Sequence, residues 1–134
     1  MLHNPVIANE CIEEVKVKTI SELIIHYSER YKVDSNLALN VACAESCTRN
    51  DDGSIVFNPS ARNPNSSASG VYQFINGTWN SLCTGDVLDA EANIKCGTRI
   101  LAEKNGIRHW EDSRMKGFGG GWSNEPYLAY NVTN

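Results

Sequence analysis

The sequence lacks long hydrophobic runs, carries little net charge and has few histidines, and each shortage excludes a class of function. No apolar stretch in the 134 residues approaches the roughly 20 residues that a membrane-spanning helix needs. The net charge of −4 gives no electrostatic basis for nucleic acid as the main partner. His3, His26 and His109 occur in no recognisable motif with a cysteine, which argues against a cysteine protease.

We also expect no secretion signal in this sequence, because no basic start is followed by a continuous apolar stretch. Either such a segment has been removed or export uses another route. Cysteine, by contrast, is abundant, and the five are Cys11, Cys43, Cys47, Cys83 and Cys96. This density favours an oxidising compartment and at least one disulfide, with one thiol left over or paired outside the chain. Cys83 and Cys96 flank a short loop that leads into a helix, so we expect them to pair. Cys43 and Cys47 share a helix face, which makes a metal site there the competing interpretation.

Length and composition suit one compact domain. The chain is long enough to bury a real core, and 41% hydrophobic with 21% charged residues is ordinary for a soluble protein. Residues 1–14 are poorly patterned, and we expect an N-terminal arm there, fastened to the domain through Cys11. Residues 15–134 then form the domain.

Hydrophobic periodicity predicts two long helices. Residues 15–31 carry an apolar stripe at helical spacing. Residues 88–105 carry another, with Asp89 as the N-cap and Gly106 as the end. Gly97 interrupts the second stripe, and a close approach of two helices would explain it. Thr78 is predicted to cap a short helix between them.

Residues 37–48 predict a helix with a carboxylate on its apolar face. Leu37, Val41 and Glu45 follow at i, i+4 and i+8 and share one side of a helix. One of residues 34–36 (Asp, Ser, Asn) is the expected N-cap, which puts Glu45 in or near the last turn. Apolar burial and the helix C-terminus both disfavour the ionised form, so we predict a raised pKa, as a general acid needs. A solvated surface glutamate is the alternative.

Residues 58–75 predict an ordered polar loop followed by a buried segment. The loop is rich in Asn, Ser and Pro but is bounded by apolar residues, so a short β-hairpin is expected, and its small polar groups suit a hydroxyl-rich ligand. Gln73 then stands among apolar neighbours, and a buried amide needs partners. It either satisfies loop carbonyls or is aimed into a cleft.

Four short motifs occur in a specific order and spacing. They are Glu45-Ser46, Phe57-Asn58-Pro59, Ala68-Ser69-Gly70 with Gln73, and Asn93-Ile94 with Gly97 and Leu101. Together they resemble the soluble lytic transglycosylase (SLT) domain of the lysozyme-like superfamily, over roughly residues 20–105. The resemblance implies a mainly α, lysozyme-like α+β fold, in which helices surround a cleft beside a short loop or β-hairpin region.

The resemblance also implies an activity: cleavage of the β-1,4 bond between N-acetylmuramic acid and N-acetylglucosamine in peptidoglycan. Glu45 would be the general acid and then the base that closes a 1,6-anhydro ring. The substrate's N-acetyl group would assist, so no second carboxylate, metal or cofactor is expected. The implied substrate-binding residues are Ser46, Asn58, Asn63, Ser69, Gly70, Gln73 and Tyr130.

Two of these residues depart from the family pattern. The family often has a serine in the loop before the glycine motif, where alignment on Pro64 puts Asn63, with Ser66 and Ser67 close by. Tyr130 belongs to an Ala-Tyr-Asn motif at residues 129–131, which comes late in this chain. Its place facing the cleft could be taken instead by one of two tryptophans, Trp110 or Trp122.

Two other functions compete with this one. A lysozyme-type hydrolase would pair Glu45 with a second carboxylate, Asp51 or Asp52. A wall-binding or structural module would have lost activity. We expect a monomer in the cell envelope or outside the cell, acting on peptidoglycan glycan strands and not on nucleic acid. Partners in a secretion system, the envelope or a phage particle are compatible with such a domain.

Overall fold

The computed structural model describes residues 17–115 and 132–134, and its architecture is mainly helical. The elements are α1 (Ile20–Tyr31), α2 (Ser35–Ser46), β1 (Cys47–Arg49), β2 (Ile55–Phe57), α3 (Asn76–Leu82), α4 (Ala90–Leu101) and a 3₁₀ segment (Gly106–Met115) that is kinked at Trp110. This confirms the predicted α+β class. No helix in the described ranges is long and apolar enough to cross a membrane. The predicted arm, residues 1–14 with Cys11, lies outside the described residues.

Helix α1 begins at Ile20, so the predicted start at residue 15 was wrong. Thr19 forms a capping box, because its hydroxyl accepts from the Glu22 N–H (3.1 Å) and its own N–H donates to Glu22 Oε1 (2.8 Å). The helix ends at Tyr31 and is capped by Lys32, which adopts a left-handed conformation with φ 63°. A capping signal therefore decides the boundary more sharply than the apolar stripe does.

Helix α2 is the central element of the core. Asp34 is its N-cap and accepts a hydrogen bond from the Leu37 N–H at 3.0 Å. Residues 38–44 are all buried, so the helix is covered on nearly every side. It ends at Ser46, two residues before the predicted end, because the chain enters β1 at Cys47.

Strands β1 and β2 form an antiparallel hairpin directly after α2. Cys47 pairs with Phe57 and Arg49 with Ile55. Residues 132–134 lie along the other edge of β2, where Val132 pairs with Ile55 in parallel. The Asn134 side chain there contacts both backbone groups of Phe57, accepting from N–H at 2.7 Å and donating to C=O at 3.0 Å. Strand β2 therefore has hydrogen-bonding partners on both of its edges.

Helix α4 is capped by Asp89 as predicted, since the carboxylate accepts from the Ala92 N–H at 2.9 Å. It ends at Leu101, however, and Gly106 begins the following 3₁₀ segment rather than ending the helix. Gly97 makes room for an aromatic ring and not for a helix. A Cβ there would lie 2.5 Å from Cδ2 of Tyr72, which is fully buried.

The short helix α3 and the two disulfides complete the fold. Thr78 lies inside α3, which begins at Asn76 without a side-chain cap, so the predicted cap was wrong. The Cys83–Cys96 disulfide is formed as expected and ties the end of α3 to α4. Cys43 and Cys47 form a second disulfide, so their sulfurs are not available as metal ligands.

Candidate active site

Glu45 lies at the C-terminal end of α2, as the pattern predicted. It is the penultimate helical residue and is half-buried, whereas residues 38–44 before it are buried. The last turn of α2 contains no basic residue. The negative end of the helix dipole therefore acts on this carboxyl group.

Ser46 is turned inward. Its hydroxyl donates to the Ala42 carbonyl at 3.0 Å, and the residue is 2% exposed. Its own carbonyl accepts from the Asn58 N–H at 2.9 Å. These contacts fit a role in setting the end of the helix that carries Glu45, rather than direct contact with a substrate.

A continuous series of hydrogen bonds connects this helix end to Gln73. The Asn58 carbonyl accepts from the Ala61 N–H at 3.1 Å, and the Ala61 carbonyl accepts from the Gly70 N–H at 2.8 Å. Nε2 of Gln73 donates to the carbonyls of both Ala61 and Gly70, each at 2.9 Å. The structure therefore joins Ser46, Asn58, Gly70 and Gln73 into one loop region beside the end of α2.

Gln73 satisfies loop carbonyls, which was one of the two alternatives from the sequence. Both hydrogens of its amide are used, and its backbone is left-handed with φ 53°. The residue also lines a cavity of about 130 Å³, together with Phe74, Ile75, Thr78, His109 and Trp110. Gln73 thus braces the loop and borders a recess at the same time.

Asn63 and Ser69 shape the predicted loop, which is ordered. Asn63 Oδ1 accepts from the Asn65 N–H at 2.7 Å, in a tight turn. Ser69 is buried, exchanges two backbone hydrogen bonds with Phe74, and its hydroxyl donates to the Ser67 carbonyl at 3.0 Å. Ser69 also forms isolated antiparallel β-bridges with Arg62 and Phe74, in keeping with the expected hairpin. The side chains of both residues are therefore used inside the loop.

Asn93 of α4 is a structural residue of the site to which the sequence analysis assigned no role. It is fully buried, and its Oδ1 accepts from the Tyr72 N–H at 2.8 Å. Its Nδ2 donates to the Val87 carbonyl at 2.8 Å and contacts the Ser69 carbonyl at 3.4 Å. The sequence feature that could have revealed this role is an asparagine on the buried side of a predicted helix. Through Ser69 and Tyr72, Asn93 holds both ends of the segment that contains Gly70, directly before Gln73.

We predict that Asn93→Ala lowers the free energy of unfolding by about 3 kcal/mol, measured by urea denaturation. The substitution leaves the Tyr72 N–H and the Val87 carbonyl without these partners in the core, and each such group costs about 1–3 kcal/mol. Asn80→Ala is the matched control, since Asn80 is exposed on α3, and its effect should stay within about 0.5 kcal/mol. Equal effects of the two substitutions would contradict the bracing role.

The family comparison bears on this arrangement directly. A family model described as the transglycosylase SLT domain matches residues 22–133. The chain belongs to the SLT transglycosylase family. Comparisons with curated proteins and with solved structures each find no match. Family membership confirms the resemblance seen in the motifs, and it supports a lytic transglycosylase or lysozyme-like function on peptidoglycan.

Asp51 and Asp52 lie in the exposed turn between the two strands of this SLT domain. Asp52 Oδ1 accepts from the Ser54 hydroxyl (2.7 Å) and the Ser54 N–H (2.9 Å). These hydrogen bonds hold the pKa of Asp52 below its usual range. The Asp52 carboxylate therefore stabilises the turn, which lies at the opposite end of β1 from Glu45.

The aromatic candidates are only partly within the described residues. Tyr130 and Trp122 lie outside them, so the placement of Tyr130 in the cleft stays a prediction. Trp110 is 5% exposed, donates from Nε1 to the Tyr72 carbonyl at 2.9 Å and packs edge-on against Phe74. In this SLT domain Trp110 is mainly a core residue that reaches the recess beside Gln73.

A larger cavity of about 530 Å³ lies between α1 and α4. Tyr27, Tyr31, Glu91 and Arg99 line it, and the Tyr27 hydroxyl donates to Glu91 Oε2 at 2.6 Å, which raises the pKa of Tyr27 to about 12. None of the predicted site residues within the described ranges borders this cavity. The size of a cavity therefore does not locate the candidate active site. The hydrogen-bonded loop region beside Glu45 locates it better.

Proposed function

We propose that this SLT domain is a lytic transglycosylase that cleaves the β-1,4 bond between N-acetylmuramic acid and N-acetylglucosamine in peptidoglycan. Glu45 is the single general acid and base. The observation that carries the proposal is the position of Glu45 in the last turn of the buried helix α2, bonded through Ser46 to the loop that holds Asn58, Gly70 and Gln73.

The reaction needs one proton carrier. Glu45 donates its proton to the glycosidic oxygen as the bond to the muramic acid C1 breaks, and the substrate's N-acetyl oxygen supports the positive charge at C1. The resulting carboxylate then takes the proton of the C6 hydroxyl, whose oxygen bonds to C1 and closes the 1,6-anhydro ring. The acid is regenerated and no water is consumed.

The environment of Glu45 supports this role. Glu45 is half-buried at a helix C-terminus, where the helix dipole opposes a negative charge on the carboxyl group. The first step requires the neutral form. The second step requires a base of moderate strength, which the same group provides after it has lost its proton.

The position of Asp51 and Asp52 along the chain supports chemistry with one carboxylate. Glycosidases that use two carboxylates hold them about 5–9.5 Å apart. The three residues of β1 carry the chain about 10 Å beyond the end of α2, at about 3.3 Å per residue, and Asp51 and Asp52 follow further along in the turn. Asp52 also accepts two hydrogen bonds from Ser54 within that turn. This position, beyond the far end of β1, favours a mechanism in which Glu45 acts without a second carboxylate.

The test is a digest of purified peptidoglycan, with the products identified by mass spectrometry. We expect muropeptides that end in 1,6-anhydro-muramic acid, lighter by one water than the products of hydrolysis. Products with free reducing ends would instead establish a lysozyme-type hydrolase and return attention to Asp51 and Asp52. Binding without any cleavage would indicate an inactive wall-binding module.

We also propose that the domain works in the cell envelope or outside the cell. Peptidoglycan strands lie there, and the two disulfides, Cys43–Cys47 and Cys83–Cys96, are stable in an oxidising compartment. Fractionation of the source cells, followed by detection of the oxidised chain, tests this placement.

A further inference from the structure

The Cys43–Cys47 disulfide encloses the proposed acid in a covalent ring. Cys43 is a fully buried residue near the end of α2, and Cys47 is the half-buried first residue of β1. Their Cα atoms are 4.6 Å apart, and Glu45 and Ser46 lie between them in the chain. The backbone that carries the Glu45 side chain is therefore part of the ring.

Helix α2 ends without the left-handed residue that ends α1. Cys47 is extended, with φ −73° and ψ 148°, so the chain passes straight from helix to strand. Helix α1 is instead capped by Lys32, whose left-handed backbone lets its N–H reach the carbonyls of Ser28 and Glu29. In α2 the Cys47 N–H donates to the Cys43 carbonyl, and the disulfide joins the same two residues a second time.

We propose that the Cys43–Cys47 disulfide positions Glu45 for proton transfer, an inference that rests on the proposed function. Helix ends fray, and a frayed last turn would let the backbone of Glu45 rotate. A general acid must stay within hydrogen-bond reach of the atom it protonates, and a misplacement of about 1 Å costs on the order of 100-fold in rate. The two cysteines are positioning residues and do not contact the substrate.

The Cys83–Cys96 disulfide is a matched control within the same chain. It joins the end of α3 to α4, and its loop holds no residue that we place in contact with the substrate. It spans 13 positions of sequence, compared with 4 for Cys43–Cys47. Because a longer closed loop restricts the unfolded chain more, Cys83–Cys96 should contribute more to stability. Loss of Cys83–Cys96 is therefore expected to lower stability more than loss of Cys43–Cys47. Loss of Cys43–Cys47 is expected to lower activity more.

The first measurement compares the variants C43A/C47A and C83A/C96A on soluble glycan strands, below the melting temperatures of both. For C43A/C47A we expect kcat to fall about 10- to 100-fold with KM within about twofold. For C83A/C96A we expect kcat within about threefold of wild type but the larger loss of melting temperature. Unchanged kcat in C43A/C47A would overturn the proposal.

A second measurement does not depend on turnover. Amide hydrogen exchange at residues 46, 47 and 58, and the ¹³C carboxyl signal of Glu45, are recorded by NMR for both variants. Exchange at the end of α2 should accelerate at least about tenfold in C43A/C47A and stay unchanged in C83A/C96A. If the wild type releases no anhydro products, the proposed function fails, while this comparison still decides whether the disulfide holds Glu45. Equal exchange in the two variants would contradict the positioning role.

Chemical reduction of the disulfide is a reversible alternative to the substitution, and it tests the proposal if C43A/C47A does not fold. In the C83A/C96A protein, dithiothreitol reduces Cys43–Cys47 with two electrons, each sulfur takes a proton, and the reagent closes to its cyclic disulfide. We expect kcat to fall on reduction and to return on reoxidation, with helical circular dichroism retained. Full activity in the reduced protein would refute the proposal.

Discussion

Glu45→Gln is expected to lower kcat for peptidoglycan cleavage by at least about 10³-fold while leaving the fold intact. Glutamine keeps the size and shape of glutamate but can neither donate the proton to the glycosidic oxygen nor take the one from the C6 hydroxyl, and general acid–base catalysis contributes about 10²–10⁴-fold. Both steps of the proposed reaction use the same carboxyl group, so the loss lies at the upper part of that range.

The measurement is the rate of release of anhydro-muropeptides, with thermal unfolding recorded in parallel. Glu29→Gln is the matched control, because Glu29 is an exposed glutamate on α1, and its rate should stay within about twofold of wild type. Activity of Glu45→Gln within about tenfold of wild type would remove Glu45 from the acid role, whatever products the wild type forms.

Gly70→Ala is expected to lower the free energy of unfolding by about 2–5 kcal/mol and to abolish activity with it. Gly70 has φ 85°, which costs other residues about 1–2 kcal/mol. A Cβ there would also lie 2.6 Å from the Val87 carbonyl oxygen and would collide with the Asn93 side chain. Overpacking of this kind costs about 1–3 kcal/mol more, because the backbone of Val87 must move.

Gly53→Ala separates the two causes. Gly53 has φ 89°, almost the same backbone conformation, but a Cβ there would meet nothing within 4 Å. Its substitution should cost about 1–2 kcal/mol, the conformational part alone. Urea denaturation of both variants gives the comparison. Equal losses would mean that the contact with Val87 and Asn93 relaxes without cost.

Local sequence patterns were sufficient for the elements that carry the proposed chemistry. Helix α2, a cap within residues 34–36 and the place of Glu45 in the last turn follow from helical spacing and capping, which act within a few residues along the chain. The structure selects Asp34 among the three cap candidates. The Asp89 cap of α4 and the Cys83–Cys96 pairing were predicted for similar reasons. The family motifs add the expected reaction, because their order is specific even though each is short.

Contacts between distant segments decided what local patterns could not. Gly97 was expected to face a helix, but the ring of Tyr72 occupies that space. Asn93 braces Tyr72 and Val87 because three segments converge on one buried side chain. The orientation of Gln73 towards the Ala61 carbonyl has the same origin. Such choices depend on which surfaces meet after the chain collapses, and a one-dimensional pattern does not encode that.

The end of α2 shows the division most clearly. Spacing alone put Cys43 and Cys47 on one face of a longer helix, where a metal site was a competing interpretation. Pairing of β1 with β2 draws Cys47 out of the helix into an extended conformation, and this brings its sulfur onto Cys43. The sequence therefore determined that a carboxyl group stands at a helix end. The tertiary structure determined that a disulfide encloses it, because the helix ends where Cys47 pairs with Phe57 across a turn, and helical spacing does not encode that pairing.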